Sequence, residues 1–198
     1  GKPEEAAHGL QVALGLSRKA KAEGEAKGEQ AIIDEFEGAH AREEDRANLQ
    51  YVLRGKALAH IPPHVQLQIA KGQYHGGELK PGDFDRGHGG MRLDDFVDHP
   101  SSEVAKLDRA EVLALRLYTT TSYPQFNNPL RNRQKPHPFA FSVWFLAEGL
   151  RKLKAVAARG GDFMREVTLW RGMANMQVLE EFKQKGGTEL APMSTSAA

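Results

Sequence analysis

The sequence predicts an α+β protein in which helices dominate up to about residue 160 and strands begin only after it. Two observations carry this prediction. Up to residue 160, several segments place apolar residues at helical spacing. After it, two short β-prone runs, "REVTLWRGM" and "TELAPMSTS", flank a helical segment, "NMQVLEEFKQKGG". We therefore expect a mostly helical N-terminal lobe followed by the first strands of a sheet that is incomplete in this chain.

The composition is that of an ordinary globular protein. The chain has 198 residues, of which 40% are hydrophobic and 27% charged. No apolar run reaches the roughly 18–20 residues of a membrane span, so we expect a soluble protein. Cysteine is absent, which excludes disulfides and thiolate chemistry but does not define a compartment. The first residues, "GKPEEAAHGL", lack a signal-peptide pattern and a starting Met, and we interpret them as a processed or artificial end.

Charge is spread unevenly but mildly along the chain. Residues 1–50 carry 7 Lys/Arg and 11 Asp/Glu, whereas the remainder carries 20 and 15. The densest basic cluster, "RNRQK" at 131–135, is typical of a solvated loop. A nucleic-acid binder usually shows a much stronger basic stripe, so this pattern argues against nucleic acid as a partner.

The first sixty residues are predicted to form a helical N-terminal extension. The stretch "SRKAKAEGEAKGEQ" is broken by Gly24 and Gly28, which indicates a linker or a poorly anchored helix. After it, "AIIDEFEGAHAREEDRANLQYVL" predicts one amphipathic helix. Its apolar face would comprise Ile32, Ile33, Phe36, Ala39, Leu49, Val52 and Leu53. Pro62-Pro63 then opens a predicted helix, "HVQLQIAKG", that ends near Gly72.

The middle of the chain alternates loops with helices. Residues 72–102 are dense in Gly, Pro and Asp and are predicted to be loop-rich, with Ser101 or Ser102 capping the next helix. That helix, "EVAKLDRAEVLALRLY", would bury one face. The face comprises Val104, Leu107, Val112, Leu115 and Tyr118. A polar loop, "TTTSYPQFNNPLRNRQKPHP", would separate it from "FAFSVWFLAEGLRKLKAVAARG", a largely buried helix ending at Gly160-Gly161.

Three segments follow one another in the second half of the chain. They are "LRLYTTTSYPQFNNPLR", in which a Tyr-Thr helix end leads through Asn to Leu-Arg, then "LWRG", and then "PMSTS" after an intervening helix. Taken in this order, they resemble the mono-ADP-ribosyltransferase family of the arginine-serine-glutamate type. The similarity covers about residues 87–198. It implies an ADP-ribosyltransferase-like domain over residues 61–198, C-terminally incomplete, that transfers ADP-ribose from NAD to a protein side chain, with arginine as the expected acceptor.

The resemblance also implies roles for individual residues. Arg171 and Ser194 would be catalytic, and Arg171 would fork onto the phosphate oxygens of NAD. Gly172 would let the backbone approach the ligand closely. Ser194 and Ser196 would lie on one face of a strand, facing the nicotinamide ribose, with Thr195 on the other face.

Further NAD contacts are implied in the helical lobe, where Tyr118, Asn127 and Arg131 would border the cleft. The family's catalytic glutamate, with Glu or Gln two residues before it, lies on a strand well after Ser-Thr-Ser. None of Glu180, Glu181 and Glu189 occupies that position. We therefore interpret the chain as a fragment that is inactive alone, since that group supplies about 10²–10⁴ in rate.

Two readings from other classes stay open. One is a non-catalytic structural or interaction subunit on the same scaffold, in which a partner chain pairs with the strand edge at "TELAPMSTS" and completes the sheet. The other is a helical binding domain whose match to the family is due to chance.

Other candidate motifs predict no site. His60 and His64 have the spacing of a metal-binding helix, but Pro62-Pro63 interrupts it, so no metal is expected. The run "RGHGG" lacks the spacing of a phosphate loop and is interpreted as a turn. Phe141, Trp144 and Phe145 are predicted to be core residues.

Overall fold

Nine helices and one pair of very short strands make up the described part of the chain. The computed structural model describes residues 3–54, 92–160, 169–170, 191–192 and 196–197. The helices are α1 Pro3–Leu14, α2 Arg18–Lys27, α3 Glu29–Glu37, α4 Glu43–Arg54, α5 Leu93–Val97, α6 Pro100–Ala105, α7 Arg109–Tyr118, α8 Tyr123–Arg131 and α9 Ala140–Gly160. Strands β1 Leu169–Trp170 and β2 Ser196–Ala197 are antiparallel, with Leu169 opposite Ala197 and Trp170 opposite Ser196.

The predicted α+β class is wrong for the described residues, which form a helical structure. Their only β structure is the two-residue pair of β1 and β2. β-Propensity measures how well side chains fit a half-buried pleated surface, so short β-prone runs alone do not establish a sheet. Most of the two predicted strand segments, and the helical segment between them, lie outside the described residues. The predicted domain boundary at residue 60 also lies outside them and stays a prediction.

Helix α7 lies at the centre of the hydrophobic core. It packs against α3, α4, α5, α8 and α9. Its residues Leu113, Ala114 and Leu117 are completely buried. The largest side chains around them are also buried, namely Leu14, Ile32, Phe36, Leu49, Val52, Leu93, Phe126, Phe139, Val143, Trp144, Phe145 and Leu146. Residues of α1, α3 and α4 therefore share one core with residues of α5, α7, α8 and α9.

The helix predicted over residues 31–53 is in fact two helices. Gly38 takes an extended conformation and ends α3, and the Asp45 side chain accepts a hydrogen bond from the Arg42 amide where α4 begins. Of the predicted apolar face, Ile32, Phe36, Leu49 and Val52 are buried, while Ile33 and Leu53 are partly buried against the core. Ala39 lies between the two helices and is exposed. The apolar periodicity was a good guide to burial but carried no information about the break.

Helix α2 forms where a linker or a poorly anchored helix was predicted. Ser17 caps its first turn by accepting a hydrogen bond from the Ala20 amide at 3.0 Å. Gly28 ends it at a φ of 57°, which glycine adopts without strain. Gly24 is buried inside α2 and faces the ring of Phe141 on α9. A close approach to α9 therefore anchors a helix that has a glycine in its middle and no large apolar side chain.

The helix predicted over residues 103–118 is likewise divided in two. Lys106, with a φ of 53°, ends α6, and Asp108 with Glu111 forms a capping box that begins α7. The cap of α6 is His99, not Ser101 or Ser102, because Pro100 takes the first helical position. Val104 is 64% exposed, so its predicted place in the core is wrong.

Two further loop predictions need correction. The predicted loop-rich stretch 72–102 contains α5 at its end, and the predicted polar loop after α7 contains α8. Of the basic cluster 131–135, residues 132–135 are exposed and lie outside any helix, as expected for a solvated loop, whereas Arg131 is the half-buried last residue of α8. Helix α9 is confirmed as far as Gly160, the last described residue of this range, and its predicted end at Gly160-Gly161 stays a prediction. Trp144 and Phe145 are buried and Phe141 is partly buried against the core, which confirms their core role.

Candidate functional site

Two of the predicted NAD-contacting residues meet at the carbonyl of Pro192. The Tyr118 hydroxyl donates a hydrogen bond of 2.8 Å to the Pro192 oxygen. Asn127 Nδ2 lies 3.1 Å from the Tyr118 oxygen and 3.4 Å from the same carbonyl. The helical lobe is thereby joined to the chain two residues before Ser194. We call Tyr118, Asn127 and Pro192 the Pro192 cluster.

The ends of α7 and α8 hold the side chains of the Pro192 cluster in place. Tyr118 is the last residue of α7, and its ring packs edge-on against Phe126, with 5.6 Å between ring centroids. Phe126 is completely buried. Asn127 follows Phe126 on α8 and is 3% exposed. Both polar groups are therefore carried on rigid, well-packed helices, as a functional site requires.

The amide of Asn127 has an acceptor that is not used within the described structure. Its Oδ1 atom is buried and has no hydrogen-bond partner among the described residues. A buried polar atom left without a partner costs about 1–3 kcal/mol, so such atoms are rare.

Hydroxyl groups shape the corner between α7 and α8. Thr119 Oγ1 donates to the Arg116 carbonyl at 2.7 Å, and Thr120 Oγ1 donates to the Leu117 carbonyl at 2.6 Å. These bonds satisfy carbonyls that the end of α7 leaves without helical partners. The predicted polar loop is consequently a tight corner that sets Tyr118 beside Asn127.

Buried polar side chains of helix α4 form hydrogen bonds with this corner. Ser122 Oγ donates to Asp45 Oδ1 at 2.8 Å, and Asn48 Nδ2 donates to Ser122 Oγ at 2.9 Å. Burial raises the pKa of Asp45, but hydrogen bonds from Arg42 and Ser122 outweigh burial and bring the pKa below its ordinary value. The corner is therefore fixed to α4 by an ionised carboxylate. Sequence reasoning missed this network, because nothing in the sequence pairs residues more than seventy positions apart.

The start of α9 is held by a second buried carboxylate, Glu35 of α3. Glu35 accepts hydrogen bonds from the Phe141 amide at 2.7 Å and from the Ser142 amide and hydroxyl at 2.9 and 2.7 Å. Burial raises the pKa of Glu35 to about 7, against the lowering effect of these bonds. The one sequence signal was an acidic residue within the apolar stretch "AIIDEFE".

His137 lies just before α9 and is buried. Its Nδ1 accepts a hydrogen bond from the Phe139 amide, so the tautomer carries its proton on Nε2, which donates to the Phe126 carbonyl at 3.0 Å. Burial lowers the pKa of His137, although the bond to Phe126 opposes this effect. His137 is thus a neutral structural residue that connects α9 to α8.

Of the other predicted site residues, only some lie in the described part of the chain. Arg131 is the last residue of α8, one helical turn beyond Asn127. Ser196 is in β2, where its backbone pairs with Trp170, the residue before Arg171. Arg171, Gly172, Ser194 and Thr195 lie outside the described residues, and their predicted roles stay predictions.

No metal site or membrane span is found in the part of the chain that the structure describes. Within those residues, no group of three or more His, Asp or Glu side chains converges to hold a metal. His60 and His64 lie outside them. None of the described helices combines the length and the apolar character that crossing a bilayer requires.

Comparison with family models, with curated proteins and with solved structures gives no match.

Proposed function

We propose that this chain carries the NAD-binding part of a mono-ADP-ribosyltransferase that modifies a protein side chain, with arginine as the acceptor. The single observation that carries the proposal is the contact of Tyr118 and Asn127 with Pro192. It joins α7 and α8, which carry the first segment of the resemblance, to the residue two positions before Ser-Thr-Ser. The pairing of Trp170 with Ser196 supports it further, because it places the backbone before Arg171 beside the serine segment.

The proposed chemistry assigns a role to each of these groups. Breaking the bond between ribose and nicotinamide develops positive charge on the ribose, and the pyrophosphate must be held while this occurs. Arg171 is the forked donor for phosphate oxygens. Ser194 and Ser196 supply hydroxyls to the nicotinamide-ribose half. The acceptor protein approaches the ribose from outside the cleft.

NAD binding is the appropriate test, because the roles proposed for Arg171, Ser194 and Ser196 are contacts with NAD. Isothermal titration of the 198-residue chain with NAD should give one site. Arg171→Ala should weaken binding on the order of 10- to 100-fold, because a hydrogen bond to a charged group contributes about 1.5–3 kcal/mol. Arg171→Lys should restore only part of the affinity, since lysine lacks the fork.

The matched control removes the same charge elsewhere. Arg159 is exposed near the end of α9, and Arg159→Ala should leave NAD binding unchanged. Equal NAD affinity of the parent chain and Arg171→Ala, or equal loss in both variants, would contradict the proposed site.

A second candidate function is a non-catalytic interaction subunit on this scaffold. One observation favours it: the Tyr118 hydroxyl and the Asn127 amide are engaged by the chain's own carbonyl. In this second candidate function, a partner chain instead of NAD would cover the β1–β2 pair. Light scattering after size exclusion, together with the NAD titration, separates the candidates. A large assembly that binds no NAD supports the interaction subunit, and a monomer that binds NAD supports the transferase.

A further inference from the structure

The Pro192 cluster allows its hydrogen-bond donors to be counted. A tyrosine hydroxyl has one proton, and that of Tyr118 is donated to the Pro192 oxygen. The Asn127 amide has two protons on Nδ2, which lie within reach of the Tyr118 oxygen and of the same carbonyl. A carbonyl oxygen has two lone pairs and can accept from both. Neither side chain therefore has a donor left for a phosphate or ribose oxygen.

We infer that Tyr118 and Asn127 are positioning residues, which hold Pro192 against α7 and α8 and so set the place of the segment leading into β2. This inference deepens the proposed function and rests on it for the effect on NAD. It differs from the cleft-lining role that the resemblance implies for both residues. NAD would have to displace the Pro192 carbonyl to reach their donors.

Pro192 and Ser194 are close in the sequence, so the contact of Tyr118 and Asn127 with Pro192 limits the position of the serine. Consecutive Cα atoms are 3.8 Å apart, so two residues span at most about 7 Å. Ser194 is two residues beyond Pro192 in the sequence, and covalent geometry alone sets this limit on the distance between their Cα atoms. Ala191, on the other side of Pro192, is 9% exposed and belongs to the buried residues. Fixing the Pro192 carbonyl therefore restricts where the first serine hydroxyl can lie.

The rigidity of the helical side comes from packing that does not depend on the Tyr118 hydroxyl. The Tyr118 ring packs on Phe126, and hydroxyl bonds to α4 hold the α7–α8 corner. Replacing Tyr118 by Phe keeps the ring and removes only the donor. The variant is thus expected to fold, which the helical circular dichroism signal checks.

The experiment measures hydrogen–deuterium exchange of Tyr118→Phe, with Tyr123→Phe as the control. Tyr123 is 49% exposed and has no part in the Pro192 cluster. Amides in peptides covering residues 187–198 should exchange about three- to tenfold faster in Tyr118→Phe, which corresponds to the loss of one hydrogen bond. Peptides from α7–α9 should be unchanged, and NAD affinity should fall by a similar factor. Tyr123→Phe should match the parent chain in both measurements.

The two readouts separate failure of the inference from failure of the proposed function. Unchanged exchange at residues 187–198 in Tyr118→Phe would overturn the inference, whatever NAD does. A loss of NAD affinity with unchanged exchange would identify Tyr118 as a direct ligand and would also overturn it. Faster exchange with unchanged NAD affinity would show that the contact does not position the site. If the parent chain binds no NAD, the proposed function fails, while the exchange comparison still decides whether Tyr118 holds Pro192.

Discussion

At the scale of single residues, Glu35 illustrates how tertiary structure replaces a local cap. The first turn of α9 leaves amides without helical partners, and a side chain from its own sequence usually accepts their hydrogen bonds. Here the carboxylate of Glu35 reaches Phe141 and Ser142 from α3. The preceding His137 accepts from Phe139. Two helices distant in sequence are therefore joined by a group that can titrate.

The pH dependence of stability follows from Glu35. Its pKa is about 7 in the folded chain against 4.5 as its ordinary value, so the folded state binds more protons between these values. The contribution of Glu35 to the free energy of unfolding is therefore present at pH 4.5 and is lost as the pH rises through 7. We expect the free energy of unfolding of the parent chain, measured relative to Glu35→Gln, to fall on the order of 3 kcal/mol between pH 4.5 and 8. Urea unfolding at several pH values measures this difference.

Using Glu35→Gln as the reference removes the opposing effect of His137. The lowered pKa of His137 makes stability rise with pH near 6.5, and this effect is common to both proteins. A difference that grows with pH would contradict the account. It would mean that the amides at the start of α9 stabilise the charged carboxylate more than burial destabilises it.

At the scale of elements, close packing decides which helices form. Helix α2 has no large apolar side chain, and its Gly24 would ordinarily weaken it. Glycine here allows the α2 backbone to lie on the Phe141 ring, and Lys21 lies 4.6 Å from the centroid of the Trp144 ring. The sequence left a linker and a poorly anchored helix open, because the contact of α2 with α9 is not visible in the local pattern.

A pair of glycine substitutions tests this packing. A Cβ at Gly24 would overlap ring atoms of Phe141, so Gly24→Ala should lower stability by about 1–3 kcal/mol despite the better helix propensity of alanine. Gly9 in α1 is exposed, and no heavy atom lies within 4 Å of a Cβ placed there. Gly9→Ala should therefore raise stability by up to about 1 kcal/mol. Thermal unfolding measures both, and a stabilising Gly24→Ala would contradict the α2–α9 contact.

At the scale of the whole molecule, apolar periodicity predicted much of the core but little of the site. It located α9 and identified Ile32, Phe36, Leu49 and Val52 as buried. It could not predict the breaks near Gly38 and Lys106, which depend on local caps. The α+β class failed because β-prone residues were given weight without a surface for them to cover.

Sequence reasoning grouped only those residues of the candidate site that are near one another in the sequence. Tyr118 and Asn127 were identified from the resemblance, and they do lie together. Their contact with Pro192, and the support of the corner by Asp45 and Asn48, join residues 65 to 77 positions apart. Such pairings follow from the packing of α4, α7 and α8, which no local pattern in the sequence records.

The central proposal is that the α7–α8 corner and the β1–β2 pair border one NAD site. Hydrogen–deuterium exchange of the 198-residue chain with and without saturating NAD tests this claim most directly. We predict slower exchange in peptides covering residues 112–131, 166–174 and 187–198, and no change in α1 and α2. Identical exchange with and without NAD, or protection confined to residues outside these three peptides, would contradict it.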